Sequence, residues 1–236
     1  MSTIERASLL STSSSQPTPA RVSASAVPKL IQQNSWSPPT AGGYALFVLA
    51  NVVWDGPQHR PHHIAQAFAA HGHPVFYGSI NAGPLGDETL VDNGIIEVEF
   101  KPTRSYDRYS TVPDDDMVAE WLVAVEALRL RHGIDEAVVH VHPPSWAPLA
   151  WALRSTFGWR IVYDCMDEWE DFPRVGRAFV EPEKELIAGA DLVVTTAEKL
   201  RAKCAPLTPR TLLVRNGVDA DFFTDNCAPS DVLSEV

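Results

Sequence analysis

The sequence predicts an α/β fold, a doubly wound and mostly parallel sheet of about seven strands with helices on both faces. Three observations carry this. Short apolar runs of strand length alternate with longer, helix-length segments along the chain. Most of the runs are continuously apolar, as in strands buried on both faces. Glycine or an acidic cluster punctuates the helix-length segments.

Residues 44–50, Tyr-Ala-Leu-Phe-Val-Leu-Ala, form the first buried strand. Residues 61–70 read as a helix with Pro61 in its first turn, where the missing N–H costs nothing, and Gly72 ends it. Strands follow at 75–77 and 95–100. Asp114, Asp115 and Asp116 place negative charge at the positive end of a helix that runs to about residue 132, where Gly133 stops it. A strand at 137–142, a helix at 146–157 closed by Gly158, and a strand at 160–164 come next. A helix at 181–190 and a strand at 192–196 follow. Thr195 and Glu198 have the spacing of a capping box for the next helix. The last strand is 211–215, with Asn216-Gly217 turning out of it. The alternation is Rossmann-like.

Before residue 41 the chain is rich in Ser, Thr, Pro, Ala and Gln and has no period that could bury a face, so 1–40 is expected to be a disordered tail. Residues 41–224 form one domain, and 225–236, polar and acidic, are expected to be a linker or a truncated end. The 236 residues, 45% of them hydrophobic, suffice for one sizeable α/β domain and not two. A formal net charge of -11 argues against general nucleic-acid binding, which needs clustered Lys and Arg. Cys165, Cys204 and Cys227 show neither a disulfide framework nor zinc-ligand spacing, so a reducing, cytoplasmic setting is expected. No run approaches the roughly 18 apolar residues that span a bilayer, and the N-terminal segment, without an apolar h-region after its charges, is not expected to be a secretory signal.

In an open parallel sheet, ligands bind outside the carboxyl ends of the strands. The segments expected there are unusually polar: Trp54 to His63, His142-Pro-Pro-Ser145, Asp164-Cys-Met-Asp-Glu-Trp-Glu-Asp171, Thr195-Thr196 and Asn216-Gly-Val-Asp219. The carboxylates Asp164, Asp167, Glu168, Glu170 and Asp171 repel one another, so one of them can hold a proton or act as a base. They can equally bind a hard cation or remain a solvated loop. His59, His62, His63, His140 and His142 invite a metal, but without His-Glu-x-x-His or cysteine spacing no metal site is assigned. Only Gly56 follows the first strand, so dinucleotide and P-loop fingerprints are missing. No Gly-x-Ser-x-Gly elbow marks a hydrolase.

Trp54 to His63 followed by a helix ending in Gly72-His73 resembles the first loop and helix of retaining GT-B glycosyltransferases of the family 4 type, with Gln58-His59-Arg60-Pro61-His62-His63 as the central match and one extra residue between Gln58 and Arg60. Val139-His-Val-His142, Tyr163-Asp-Cys-Met-Asp-Glu168, Ala190-Asp-Leu-Val-Val-Thr-Thr196 and Val214-Arg-Asn-Gly-Val-Asp219 resemble later segments of that family, in order, although Arg215 replaces a proline. The resemblance spans roughly residues 44–223 and is to the N-terminal, acceptor-side domain only. It implies transfer of a sugar from a nucleotide-sugar donor to a carbohydrate or glycan-lipid acceptor. No cofactor or metal is implied, and the nucleotide-sugar is a co-substrate. The donor-binding C-terminal domain has no counterpart here, so it would have to be supplied by a further domain or a partner subunit. An isolated chain is expected to be weakly active at most.

The same resemblance distributes roles. Gly56 would let backbone N–H groups approach the donor diphosphate, and Arg60 would stabilise phosphate charge or pair with the acidic loop. Asn216 and Gly217 would sit at the cleft on the donor side. Asp167, or Asp164, stands near the position of an acceptor-facing histidine in relatives and is the candidate catalytic group. His63, His142 and Glu168 are candidates for substrate contact. Two other readings remain open. One is a non-catalytic partner module derived from a glycosyltransferase. The other is another Rossmann-type enzyme acting on nucleotide-sugars, disfavoured by the lack of Gly-x-Gly-x-x-Gly and Tyr-x-x-x-Lys. The expected location is the cytoplasm or the membrane surface.

Overall fold

The computed structural model describes residues 43–80, 83–107, 109–173, 175 and 177–217. The expected tail at 1–40 and linker at 225–236 lie outside the described residues. In chain order the elements are β1 (Ala45–Leu49), α1 (Arg60–Ala70), β2 (Val75–Ser79), β3 (Glu88–Asp92), β4 (Ile95–Glu99), α2 (Asp115–His132), β5 (Ala137–Val141), α3 (Ala147–Phe157), β6 (Arg160–Cys165), α4 (Val180–Gly189), β7 (Leu192–Thr195), α5 (Glu198–Cys204) and β8 (Thr211–Leu213). A single 3₁₀ turn, Pro144–Trp146, leads into α3.

The strands form one eight-stranded sheet in the order β3-β4-β2-β1-β5-β6-β7-β8. All neighbours are parallel except β3 and β4. The sheet therefore exceeds the predicted seven strands by one. The extra strand, β3, folds back on β4 through Asn93-Gly94, a turn pair that favours hairpins; Gly94 takes φ 79°. It is an exposed edge strand, so no buried face advertises it in the sequence. Glu88 fixes it to the end of α2, where it meets Arg131 and His132.

Alternation along β1 separates two cores. Leu46, Val48 and Ala50 face α1 and pack with Trp54, Ala65, Val75, Tyr77 and Ile95. Phe47 turns to the other face, where it meets Phe76, Phe100 and Trp159. There Trp121 of α2 closes on Phe100 and Trp146 and is fully buried. Helices thus cover both faces, as the continuous apolar runs require.

Local signals hold at α2: the Asp114 carboxylate accepts the Met117 N–H at 2.9 Å, and Gly133 closes the helix at φ 62°. The capping box expected at Thr195 and Glu198 does not form. Thr195 pairs with Cys165 as the last residue of β7, and its carbonyl accepts the Val214 N–H, so extended pairing holds it in the sheet. The helix starts later, with Ala197 as its cap. Among the described residues, no helix is long and apolar enough to cross a membrane.

Candidate active site

β1 lies between β2 and β5, and the chain leaves it in opposite directions: first to β2, later to β5. That reversal is the switch point of a doubly wound sheet, the place where such sheets hold ligands outside the carboxyl ends of their strands. The loop after β1 is held by side chains from four directions. Ala50 O accepts the Trp146 indole N–H at 2.9 Å, and Val52 O accepts the Tyr77 hydroxyl at 3.1 Å. Trp54 N–H donates to Glu97 at 3.1 Å, and Ser79 donates to the same oxygen at 2.7 Å. His62 completes the set. Its Nδ1 accepts the His59 N–H at 3.0 Å, which puts the proton on Nε2, where it faces Val53 O at 3.1 Å. The ring is fully buried between Trp54 and Tyr77, and burial lowers its proton affinity, so it is neutral.

Gly56 sits in the turn this network fixes. A Cβ there would lie 3.2 Å from Val53 O, so the close chain approach calls for glycine. Its own N–H donates to Val53 O at 3.2 Å and is engaged inside the turn. His63, one residue past the structural His62, is exposed on α1.

The cluster at the crevice joins residues far apart in sequence. Asp164, at the end of β6, is fully buried, and its Oδ2 accepts Arg60 Nε at 2.7 Å. The same guanidinium donates to Asn216 Oδ1 at 3.1 Å. Three of the predicted residues, Arg60, Asp164 and Asn216, are therefore one hydrogen-bonded unit. Gly217 follows, exposed and without neighbours that restrict it. The β5–β6 register sets Val141 against Tyr163, which brings His142 beside Asp164. His142 Nδ1 lies 3.5 Å from Asp164 Oδ2, too far for a good hydrogen bond, and both His142 Nδ1 and Asp164 Oδ1 are buried without a partner. On its other side His142 Nε2 lies 3.2 Å from His140 Nδ1. Burial, then the neighbouring His140 and Arg60, pushes His142 well below the ordinary histidine range. His140, His142 and Asp164 bring one ligand atom each within 4.8 Å of one another. Arg60, however, already supplies the cation facing Asp164, and the two rings hydrogen-bond each other, so no metal is assigned to the group.

Beyond Asp164 the acidic loop divides by environment. Asp167 is half-buried, and burial followed by the Asp164 charge raises its proton affinity. Glu168 pairs with Lys199, which lowers it. Glu170 faces Lys203 at 3.5 Å. Asp167, Glu168 and Asp171, with Met166, Phe172, Thr196, Ala197, Lys199 and Leu200, line a cavity of about 380 Å³ between the ends of β6 and β7. The Thr196 hydroxyl donates to Met166 O at 3.1 Å and ties the segment after β7 to the one after β6. Lys199 and Phe172 carry no motif and were invisible in the sequence; only the adjacency of β6 and β7 reveals them.

A doubly wound sheet with this polar carboxyl edge is the architecture of GT-B glycosyltransferase domains. The chain belongs to the glycosyl transferase 4-like domain family, whose model matches residues 55–224. The fold is shared with a piece of sucrose-phosphate synthase from Thermosynechococcus elongatus, at 15% identity and TM-score 0.55, covering 75% of this chain and 91% of that piece. A longer chain of the same synthase gives 14% identity and TM-score 0.55, covering 80% of this chain and 54% of its own. A structure titled trehalose-6-phosphate from E. coli, bound with UDP-2-fluoro glucose, gives 16% identity and TM-score 0.51, covering 80% and 53%. This chain thus spans about half the length of those last two. No curated protein sequence matches it significantly.

Proposed function

We propose that the chain is the acceptor-side half of a glycosyltransferase that moves a sugar from a nucleotide-sugar donor to a hydroxyl-bearing acceptor. The observation that carries this is the Arg60–Asp164–Asn216 unit at the carboxyl edge of the sheet of a family 4-like domain. One neighbour of the same fold is titled as bound with UDP-2-fluoro glucose, which fits a nucleotide-sugar donor here. The donor-binding half is supplied by a further domain or a partner subunit, since the chain spans about half of such structures.

Arg60 is placed to stabilise charge developing on the departing diphosphate. Asp164 is fully buried and ion-paired, so its role is to position Arg60. Asp167 lines the open cavity, and burial and the Asp164 charge raise its proton affinity above that of an ordinary carboxylate; in this reading it contacts the acceptor hydroxyl. Glu168, held by Lys199, and His142, held behind Asp164, shape the acceptor side. His63 and the Asn216–Gly217 turn stay candidates for contacts made once the second half closes the cleft. A reducing, cytoplasmic setting fits the free, buried Cys165 and Cys204.

The test is transfer by the protein as it occurs in its source, with any donor-binding half present. Nucleotide-sugars are offered with hydroxyl acceptors, and the product is read by mass. A glycosylated product that Arg60→Ala diminishes at least about 100-fold supports the reading. Binding of partner protein without turnover of any donor would instead favour the non-catalytic module.

A further inference from the structure

We infer that the solvent face of α2 is the interface of a two-fold dimer of this chain, in which two copies of the helix pack antiparallel. A surface helix ordinarily buries one apolar stripe and shows a polar one to water. α2 buries Met117, Trp121, Val125 and Leu128 in the core. Its opposite stripe is apolar as well. Ala119, Val123, Ala127 and Leu130 follow one another at helical spacing and are all exposed. Val123 is 66% and Leu130 65% exposed. A second apolar surface laid on this stripe would remove that area from water.

The charges on α2 select a second copy as the occupant. Asp115 and Asp116 stand in the first turn, Arg129 and Arg131 in the last. The helix is therefore complementary to itself when reversed, and a parallel pair would set like charge on like. With Val123 on the two-fold axis, Ala119 meets Ala127 of the second copy. Asp115 and Asp116 then come level with the end that carries Arg129 and Arg131 of the second copy. Partners within the chain leave these groups in reach. Asp116 lies 3.9 Å from Arg104 with its side chain 87% exposed, and Arg131 meets Glu88 while staying partly exposed. Alanines on either side of the axis let the two helices approach closely, and antiparallel macrodipoles attract. The acidic groups of α2 outnumber its arginines, which makes an anionic membrane a poor match. One helix face falls short of the roughly 800 Å² per partner of a standard interface, so the dimer is weak, with a dissociation constant of about 10–100 µM.

The test is sedimentation velocity on the full chain from about 1 to 300 µM, a range that brackets this constant. The expected result is a shift from the mass of one chain to that of two. Val123→Glu and Leu130→Glu lie on exposed positions, so both should keep the wild-type melting temperature while raising the dissociation constant at least about tenfold. Orientation is read by cross-linking with diamide in a Cys227→Ser background, since Cys165 and Cys204 are buried. Val123→Cys should form a disulfide-linked dimer, because the axis brings the two copies of that position together. Leu130→Cys should not, because its copies lie about 20 Å apart in the antiparallel pair. A chain monomeric at every concentration, or a dimer indifferent to Val123→Glu and Leu130→Glu, would overturn the inference. So would Leu130→Cys cross-linking as readily as Val123→Cys. A monomer that floats with phosphatidylcholine vesicles would overturn it too, and would assign the stripe to a membrane surface.

Discussion

Arg60 and Asp164 set the residue scale. Among the described residues the buried carboxylate has no other cation in hydrogen-bond range, so removing the guanidinium strands a charge in the core. Arg60→Ala should therefore lower stability by about 3–5 kcal/mol, measured by chemical denaturation, with Arg60→Lys losing less. A loss below about 1 kcal/mol would mean that solvent reaches Asp164 and that the pair is only a surface one. Each member of this unit was legible in the sequence as a polar residue just past a strand. Their union was not, because 104 positions separate Arg60 from Asp164 and only the sheet order joins them. The neighbouring histidines show the reverse case. His62 and His63 look alike in sequence, yet the first is locked between Trp54 and Tyr77 while the second faces solvent. One residue of helical rotation, about 100°, decides it.

At the scale of elements, helix caps were the most readable feature and edges the least. Asp114 stands at the start of α2 in the sequence and proves to be its cap in the structure, so Asp114→Ala should destabilise by about 1 kcal/mol in a thermal or denaturant melt, without changing the crevice. Thr195 shows why a motif alone misleads: two residues with capping-box spacing were already claimed by β7, and sheet pairing outweighs a cap. β3 was missed although Asn93-Gly94 announces a hairpin, because an exposed edge strand has no apolar face to find. The interior of β2 tolerates little: a Cβ on Gly78 would lie 3.1 Å from the Phe100 ring and 3.2 Å from Val48 O. Gly78→Ala should cost about 1–3 kcal/mol of stability in the same melts.

At the scale of the molecule, the protonation of the core sets a pH dependence. Burial lowers the proton affinity of His62, His140 and His142 in the folded state. The unfolded chain, with histidines near their ordinary value of about 6.5, then binds more protons than the folded one as pH falls. Stability is therefore complete above about pH 6.5 and is lost as pH drops from there toward the folded values. Asp167, raised by burial, opposes this with a single proton. Unfolding free energies from denaturant melts between pH 8 and 5 should fall, with a slope of about 1–3 kcal/mol per pH unit below pH 6.5. A flat profile would mean that the rings are solvated and charged in the fold.

The same scale holds the functional claim, that the carboxyl edge of this sheet is where a sugar acceptor meets a donor held by another half. The most direct measurement is the steady-state kinetics of the proposed transferase, assayed with its proposed donor-binding half, for wild type and Asp167→Asn, varying donor and acceptor separately. The account predicts a fall of at least about 100-fold in kcat/KM for the acceptor, with the donor KM within about twofold of wild type. An acceptor kcat/KM unchanged by Asp167→Asn, or a loss confined to the donor KM, would contradict it.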